Sequence, residues 1–168
     1  MPVPNDSIPP QLAARPRSVA GLPIPFVNAV NHDGSPNFRL VDPLRSQEAA
    51  TRRLCAVCGS ELGYWIAFLG GPKSIRSRVF VDGPAHEDCL VAATKLCPYL
   101  SRRNSRRSTS REAVEPAGFE PSKPTRFIIG VTRQYRTFID QNGAVVHRAG
   151  AFKRLRRFSY QDGVLAES

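Results

Sequence analysis

The sequence predicts a mixed α+β fold that is built from short elements. Hydrophobic residues make up 41% of the 168 residues, which is enough to form a core. Fifteen prolines and twelve glycines are more than a compact helical protein of this size would contain. Apolar runs of strand length are separated by Asp-Gly and Asn-Gly turns, and one stretch has a helical pattern. We therefore expect short strands, one main helix and many turns.

The N-terminal part predicts a tail followed by a hairpin. Residues 1–20 are rich in proline and polar residues, so we expect an extended tail, and they lack the apolar stretch of a secretory signal. Residues 21–30 and 36–41 are typical of two short strands that are joined by an Asp-Gly turn. Pro23 and Pro25 would confine the first of these strands to the edge of a sheet.

Up to residue 100 the patterns then indicate a short helical segment, two strands and a longer helix. These are residues 43–54, 64–69, 78–81 and 86–97. Gly70, Gly71 and Pro72 separate the two strands, which we expect to pair as a β-hairpin, and Pro98 ends the longer helix. The segment 101–125 is polar, contains five arginines before residue 112 and lacks hydrophobic periodicity, which predicts a flexible basic linker. Order is expected to return at residue 126 as a small β-meander.

Two pairs of residues have the spacing of metal ligands. The knuckle Cys55-x-x-Cys58-Gly59 aims two thiolates at one tetrahedral ion, and Gly59 allows the tight backbone after it. His86 and Cys89 are three residues apart at the start of the predicted helix, so both lie on one face. The order of knuckle, hairpin and helix is that of treble-clef zinc domains. We therefore expect one structural zinc ion, bound by these four residues within a domain spanning residues 21–100.

Three alternatives to a structural zinc site remain. The cysteines could lie in a core by chance, form disulfides, or hold a catalytic zinc. The missing secretory signal argues against disulfides, and four protein ligands leave no position for a reactive water. The order of the motifs is the reverse of that in zinc deaminases. Cys97 is eight residues beyond Cys89, about 12 Å along a helix, and is expected to pack in the core instead.

Other motifs give weaker indications of a catalytic or binding role. His32 and His147 have no suitably spaced carboxylate partner, so surface or core positions are expected for both. The segment at residues 70–74 superficially resembles a phosphate-binding loop but lacks its full pattern. We identify no catalytic residues.

The positive charge is concentrated near the C-terminus. The formal net charge is +10, of which residues 101–168 contribute +8 (14 basic and 6 acidic residues). Such a surface attracts polyanions, although a solvated basic face without a partner is also possible. The expected nucleic-acid-binding residues are Arg102, Arg103, Arg106, Arg107, Arg111, Lys153, Arg154, Arg156 and Arg157. Phe152, Phe158 and Tyr160 interleave the second group and are expected to stack on bases.

Several segments of the chain resemble a group of small zinc-binding proteins from actinobacteria and their phages. The similar segments are PNDSIPPQLAARPRSVAGLPIPFV, DGSPNF, CAVCG, GGP, HEDC and LCPYL. The resemblance covers about residues 4–101 and extends only loosely to the C-terminal strands. It implies the same four metal ligands and a phage or mobile-element origin, and it implies no particular activity.

These observations favour a non-enzymatic, zinc-stabilised module that contacts nucleic acid through its arginines. A protein-protein interaction adaptor is the main alternative, with the apolar segment 64–69 partly exposed. A metal-dependent nuclease is a third hypothesis, although the single histidine near the motif is already used as a ligand. We expect a cytoplasmic location, no membrane contact and no small-molecule substrate.

Overall fold

The computed structural model describes residues 7–103 and 123–168, which form an α+β structure, as predicted. The helices are α1 (Pro10–Ala13), α2 (Pro43–Arg52), α3 (Pro72–Ser77), α4 (Glu87–Leu96) and α5 (Pro98–Ser101). The strands are β1 (Asn28–Val30), β2 (Pro36–Val41), β3 (Ile66–Gly70), β4 (Val79–Phe80), β5 (Arg126–Thr132), β6 (Tyr135–Ile139), β7 (Val145–Ala149), β8 (Arg154–Gln161) and β9 (Val164–Glu167). None of these helices is both long and apolar enough to cross a membrane.

The strands form three small antiparallel sheets. The hairpin of β1 and β2 is the first, and the other two have the orders β3-β5-β8-β9 and β4-β7-β6. In the four-stranded sheet β3 pairs with β5, from Ile66 opposite Thr132 to Gly70 opposite Ile128. In the three-stranded sheet β4 pairs with β7. Strands from both sides of residues 104–122 therefore share two sheets.

The expected hairpin of β3 and β4 and the separate C-terminal β-meander are both wrong. The Gly-Gly-Pro segment does not make a tight turn but starts α3, with Gly71 as N-cap and Pro72 in the first turn. This helix carries the chain away from β3, so β4 joins the other sheet. Ile66, Ala67 and Phe68 are fully buried, so β3 needs a covering layer on both faces. The two-residue strand β4 cannot satisfy the backbone of β3, whereas β5 pairs along its whole length.

The four-stranded sheet separates two hydrophobic clusters. On one face Ala67, Ile129 and Val131 belong to the main cluster, which also contains residues of α4 and the metal-site cysteines. On the other face Ile66 and Phe68 pack with Phe80 and Ala149 of the three-stranded sheet. The metal-site residues therefore lie against the largest part of the core.

The expectation of an extended N-terminal tail is wrong for residues 7–20. Ile8 and Leu12 are 7% and 2% exposed and belong to the main cluster. Leu12 lies in α1 and Ile8 lies just before it, so both the helix and the chain that enters it pack on the core. Pro10 occupies the first turn of α1, where proline is well tolerated. The segment is thus a packed part of the fold.

The helices next to the metal site agree with the sequence analysis. The side chain of Asp42 caps α2 by accepting hydrogen bonds from the backbone N–H groups of Leu44 (2.9 Å) and Arg45 (3.4 Å). At the other end Arg53 adopts a left-handed conformation (φ 53°), which directs the chain into the knuckle. Helix α4 begins directly after His86 and ends before Cys97.

Candidate metal centre

The structure brings together the four residues that the sequence predicts as metal ligands. The Sγ atoms of Cys55, Cys58 and Cys89 and a ring nitrogen of His86 all lie within 4.8 Å of one another. The three cysteines are buried and the histidine is half-buried. Four such donor atoms at this separation can hold one metal ion.

Backbone hydrogen bonds shape the knuckle that carries the first two ligands. The N–H of Cys55 donates to the carbonyl of Ser60 (2.7 Å), and the N–H of Gly59 donates to the carbonyl of Cys55 (2.9 Å). Gly59 has a φ of +79°, in the left-handed region that favours glycine. A Cβ atom at this position would also lie 2.9 Å from the Phe26 ring. Conformation and space both therefore require glycine here.

Three backbone N–H groups point at the sulfur atoms. Those of Cys58 and His86 donate to Cys55 Sγ at 3.4 and 3.3 Å, and that of Ser60 donates to Cys58 Sγ at 3.4 Å. Such donors stabilise the thiolate form that a metal requires.

Sheet and helix together position the second ligand pair. Ala85 makes two 2.9 Å backbone hydrogen bonds with Ala67 of β3, so the residue before His86 is fixed to the central sheet. The N–H of Ala56 in the knuckle donates to the carbonyl of Pro84 (3.0 Å). The second pair of candidate ligands is thereby held against the first.

The distances around His86 fit tetrahedral coordination. Its Nδ1 atom lies 3.4 Å from Cys58 Sγ and 3.8 Å from Cys89 Sγ. Tetrahedral zinc with Zn–S of about 2.3 Å and Zn–N of about 2.05 Å separates sulfur from nitrogen by about 3.6 Å. The Nε2 atom lies 2.9 Å from the carbonyl oxygen of Glu61. This contact places the proton on Nε2, so the Nδ1 lone pair faces the cysteines.

The thiols also influence one another's ionisation. Hydrogen bonds from Cys58 and Cys89 lower the pKa of Cys55 to about 3. The pKa of Cys89 is raised, chiefly because its thiol donates to Cys55 and Cys58, and further because it is buried. Three clustered thiols cannot all lose their protons without a compensating cation. The cluster therefore has the electrostatic character of a cation site.

One residue beside the ligands was missed by the sequence analysis. The side-chain nitrogen Nε2 of Gln11 lies 3.7 Å from Cys89 Sγ and 3.4 Å from Asp88 Oδ2. No sequence signal connects Gln11 to a cysteine 78 positions away, because their proximity depends on the docking of α1.

Cys97 lies outside the cluster of ligands. It follows the last residue of α4 and packs, half-buried, against the main hydrophobic cluster. Burial raises the pKa of its thiol. Its place against the core is the one that the helical spacing predicts.

His147 lies in the core and His32 lies at the surface, which are the two kinds of position that were expected for these histidines. His147 is fully buried, with Nε2 3.0 Å from Ser46 Oγ and Nδ1 2.8 Å from Thr137 Oγ1. Burial lowers its pKa to about 4. His32 lies in the exposed turn between β1 and β2.

The predicted nucleic-acid-binding residues of β8 are divided between ion pairs and solvent. Arg154 and Arg156 both contact Glu87, next to the ligand His86, and Arg156 also pairs with Glu167 at 2.7 Å. Hydrogen bonding to Glu167 raises the pKa of Arg156. Lys153 and Arg157 are exposed.

The predicted arginines around residue 101 are only partly covered by the structure. Arg102 and Arg103 are exposed, and Arg103 donates its backbone N–H to the carbonyl of Gly163 (3.0 Å). Arg106, Arg107 and Arg111, like most of the predicted linker 101–125, lie outside the described residues.

The expectation that Phe152, Phe158 and Tyr160 stack on bases is wrong for Phe158, and the other two rings are half-buried. Phe158 is 3% exposed and belongs to the main cluster. Tyr160 is half-buried and donates its hydroxyl to the carbonyl of Leu100 (2.8 Å). Phe152 fills the space above Gly130, where a Cβ atom would come within 2.5 Å of its ring. The strand alternation of β8 turns residues 158 and 160 toward the core and α5.

Comparison of the chain with protein-family models, curated proteins and solved structures finds no match. The resemblance to small actinobacterial and phage proteins stays a prediction.

Proposed function

We propose that this chain is a zinc-stabilised, non-enzymatic binding module that contacts nucleic acid through exposed arginine and lysine side chains. The observation that carries the proposal is the cluster of three cysteines and one histidine with ligand atoms within 4.8 Å. A donor set of three sulfurs and one nitrogen in tetrahedral arrangement suits zinc.

The geometry of the cluster supports a structural role for the metal. Four protein donors complete a tetrahedral shell, and Cys55 and Cys89 are fully buried. The ion would connect the knuckle, which follows α2, to the start of α4. The candidate ligands come from a knuckle and from the start of a helix, which supports assigning the site to treble-clef-like domains. The strands between these two elements, however, pair with C-terminal strands.

The distribution of charge supports a polyanionic partner. Residues 101–168 carry +8 of the net +10. Within the described part of this region, the exposed cations include Arg103, Arg126, Arg133, Arg136, Arg148, Lys153 and Arg157. Contacts from such side chains go to phosphates, so binding should depend strongly on salt and weakly on base sequence.

The salt dependence of binding tests this proposal. If the five arginines at positions 102, 103, 106, 107 and 111 each neutralise one phosphate, log K should fall with log salt with a slope of roughly −4.5 on duplex DNA. Replacing all five with Gln should flatten the slope, equally for unrelated sequences, while zinc stays bound. Fluorescence anisotropy with labelled duplex and single strand, at salt concentrations from low to physiological and above, measures the slope.

A matched control separates local contacts from overall charge. The exposed Arg52 and Arg76 lie on α2 and α3, and replacing both with Gln should change the slope little. Failure of the wild-type protein to bind any nucleic acid at the lowest salt would discard the proposal.

A second candidate function, protein-protein adaptor, is favoured by one observation. A cavity of about 230 Å³ with mostly apolar lining lies between β2, α3 and the α4–α5 junction. Leu40, Val81 and Tyr99 are among its walls, and its size suits an apolar side chain of a partner. For an adaptor, the five-arginine variant would keep its protein partner, whereas Leu40→Arg would lose it.

A further inference from the structure

Two exposed aromatic side chains lie directly before β3. Tyr64 and Trp65 are 62% and 43% exposed, and their rings meet edge to face with centroids 5.1 Å apart. The next three residues, 66–68, are fully buried in the central sheet. The aromatic pair therefore directly precedes a buried strand while it faces solvent, which is unusual for such large apolar groups.

One basic side chain contacts this pair, and a second lies at the same end of the sheet because of the strand register. The guanidinium carbon of Arg133 lies 4.2 Å from the centroid of the Tyr64 ring. Ile66 pairs with Thr132, so Arg133 follows β5 at the same end of the sheet. Lys153 donates its backbone N–H to the carbonyl of Val131 (2.7 Å), which brings β8 to that end as well. We name Tyr64, Trp65, Arg133 and Lys153 the stacking surface.

We infer that the stacking surface binds unpaired bases of single-stranded nucleic acid. The inference rests on the proposed function and deepens it, because it names the form of nucleic acid. Trp65 and the part of the Tyr64 ring that Arg133 does not cover would stack on bases. Arg133 and Lys153 would contact the adjoining phosphates. Exposed aromatic rings beside cations are the arrangement by which proteins bind single strands without reading their sequence. In a duplex the base faces are already stacked and cannot reach these rings.

The metal centre holds the stacking surface in place. The carbonyl of Glu61 accepts the hydrogen bond from His86 Nε2, and Tyr64 follows Glu61 by only three residues. The loop from the knuckle to β3 is thus held at both ends, by the metal ligand and by the central sheet. Removal of zinc should therefore reduce single-strand binding together with the order of this loop.

Trp65 is the only tryptophan of the chain, so intrinsic fluorescence reports directly on this surface. The zinc-loaded full chain is titrated with a short thymidine oligonucleotide, with its duplex, and with a strand of equal length whose sugars carry no bases. The inference predicts quenching by the thymidine strand only. It also predicts that the thymidine strand binds more tightly than the abasic strand. The two strands have the same phosphates, so any difference in affinity comes from the bases.

Variants locate the effect by anisotropy with labelled strands. Trp65→Leu and Tyr64→Leu should each weaken binding of the thymidine strand by about 5- to 100-fold and leave abasic-strand and duplex affinity unchanged. Trp65→Phe, which keeps a ring, should retain most of the affinity. Phe138→Leu is the matched control, since Phe138 is an exposed aromatic (38%) on the edge strand β6 of the other sheet. Zinc content and circular dichroism verify that each variant is folded.

The outcomes separate this inference from the proposed function. Equal affinity for thymidine and abasic strands without quenching would overturn the inference and leave phosphate binding standing. Unchanged thymidine affinity in folded Trp65→Leu and Tyr64→Leu would also overturn it. If the wild type binds none of the three nucleic acids at low salt, both the inference and the proposed function are overturned.

Discussion

Acidification is expected to destabilise the fold through one buried side chain, His147. This residue is fully buried, and its two ring nitrogens contact Ser46 of α2 and Thr137 of β6. The pair of contacts ties α2, which leads into the knuckle, to the three-stranded sheet. Burial lowers the pKa of His147 from 6.5 to about 4, because the imidazolium form would lose its hydration.

The sign and size of the effect follow from this pKa. Between pH 6.5 and 4 the unfolded chain binds a proton at His147 and the folded chain does not, so the free energy of unfolding falls as the pH falls. The contribution of neutral His147 is complete above pH 6.5 and is lost by about pH 4. At about 1.36 kcal/mol per pKa unit, the loss is about 3 kcal/mol. This is a large share of the 5–15 kcal/mol that is typical of a domain.

Urea unfolding of the wild type and of His147→Gln at a series of pH values measures the effect. Glutamine can still donate and accept hydrogen bonds but does not titrate. Protonation of the metal ligands affects both proteins alike, so it cancels in the difference between them. The stability of the wild type relative to the variant should fall by about 3 kcal/mol from pH 7 to pH 4. A constant difference over this range, or an NMR titration of His147 near its ordinary pKa, would refute the reasoning.

Three further predictions concern the metal centre. Elemental analysis should find one zinc per chain. Cys58→Ser should lose the zinc and unfold the site, since zinc binding contributes on the order of 10–16 kcal/mol. Cys97→Ala should retain the zinc. Equal zinc loss from both would contradict the ligand assignment. Gly59→Ala should lower the free energy of unfolding by about 1–3 kcal/mol, because φ is +79° and Phe26 is close, whereas the open Gly63→Ala should not. Gln11→Ala should weaken zinc about 10-fold in chelator competition, and an unchanged affinity would show that its contact with Cys89 is unimportant.

Features that depend on neighbouring residues could be predicted from the sequence alone. Cys55 and Cys58 are brought together by a turn of four residues, and His86 and Cys89 by the first turn of a helix. Pro98 marks a helix end through backbone chemistry that acts within a few positions. The α+β class could be read from the same local signals. The grouping of the four metal-site residues could be predicted because only the knuckle and the helix start had to meet.

The pairing of the strands and the exposure of individual side chains could not be predicted, because both depend on contacts between distant parts of the chain. The uninterrupted apolar run at residues 64–69 indicates that β3 is buried, but its partner β5 lies some 60 residues away, beyond any local signal. The same limit applies to single residues: Phe158 reads as an interleaved surface aromatic and is buried, whereas Trp65 reads as part of a core strand and is exposed. The physical reason is that burial depends on the layer that covers a side chain. Here that layer comes from distant parts of the chain.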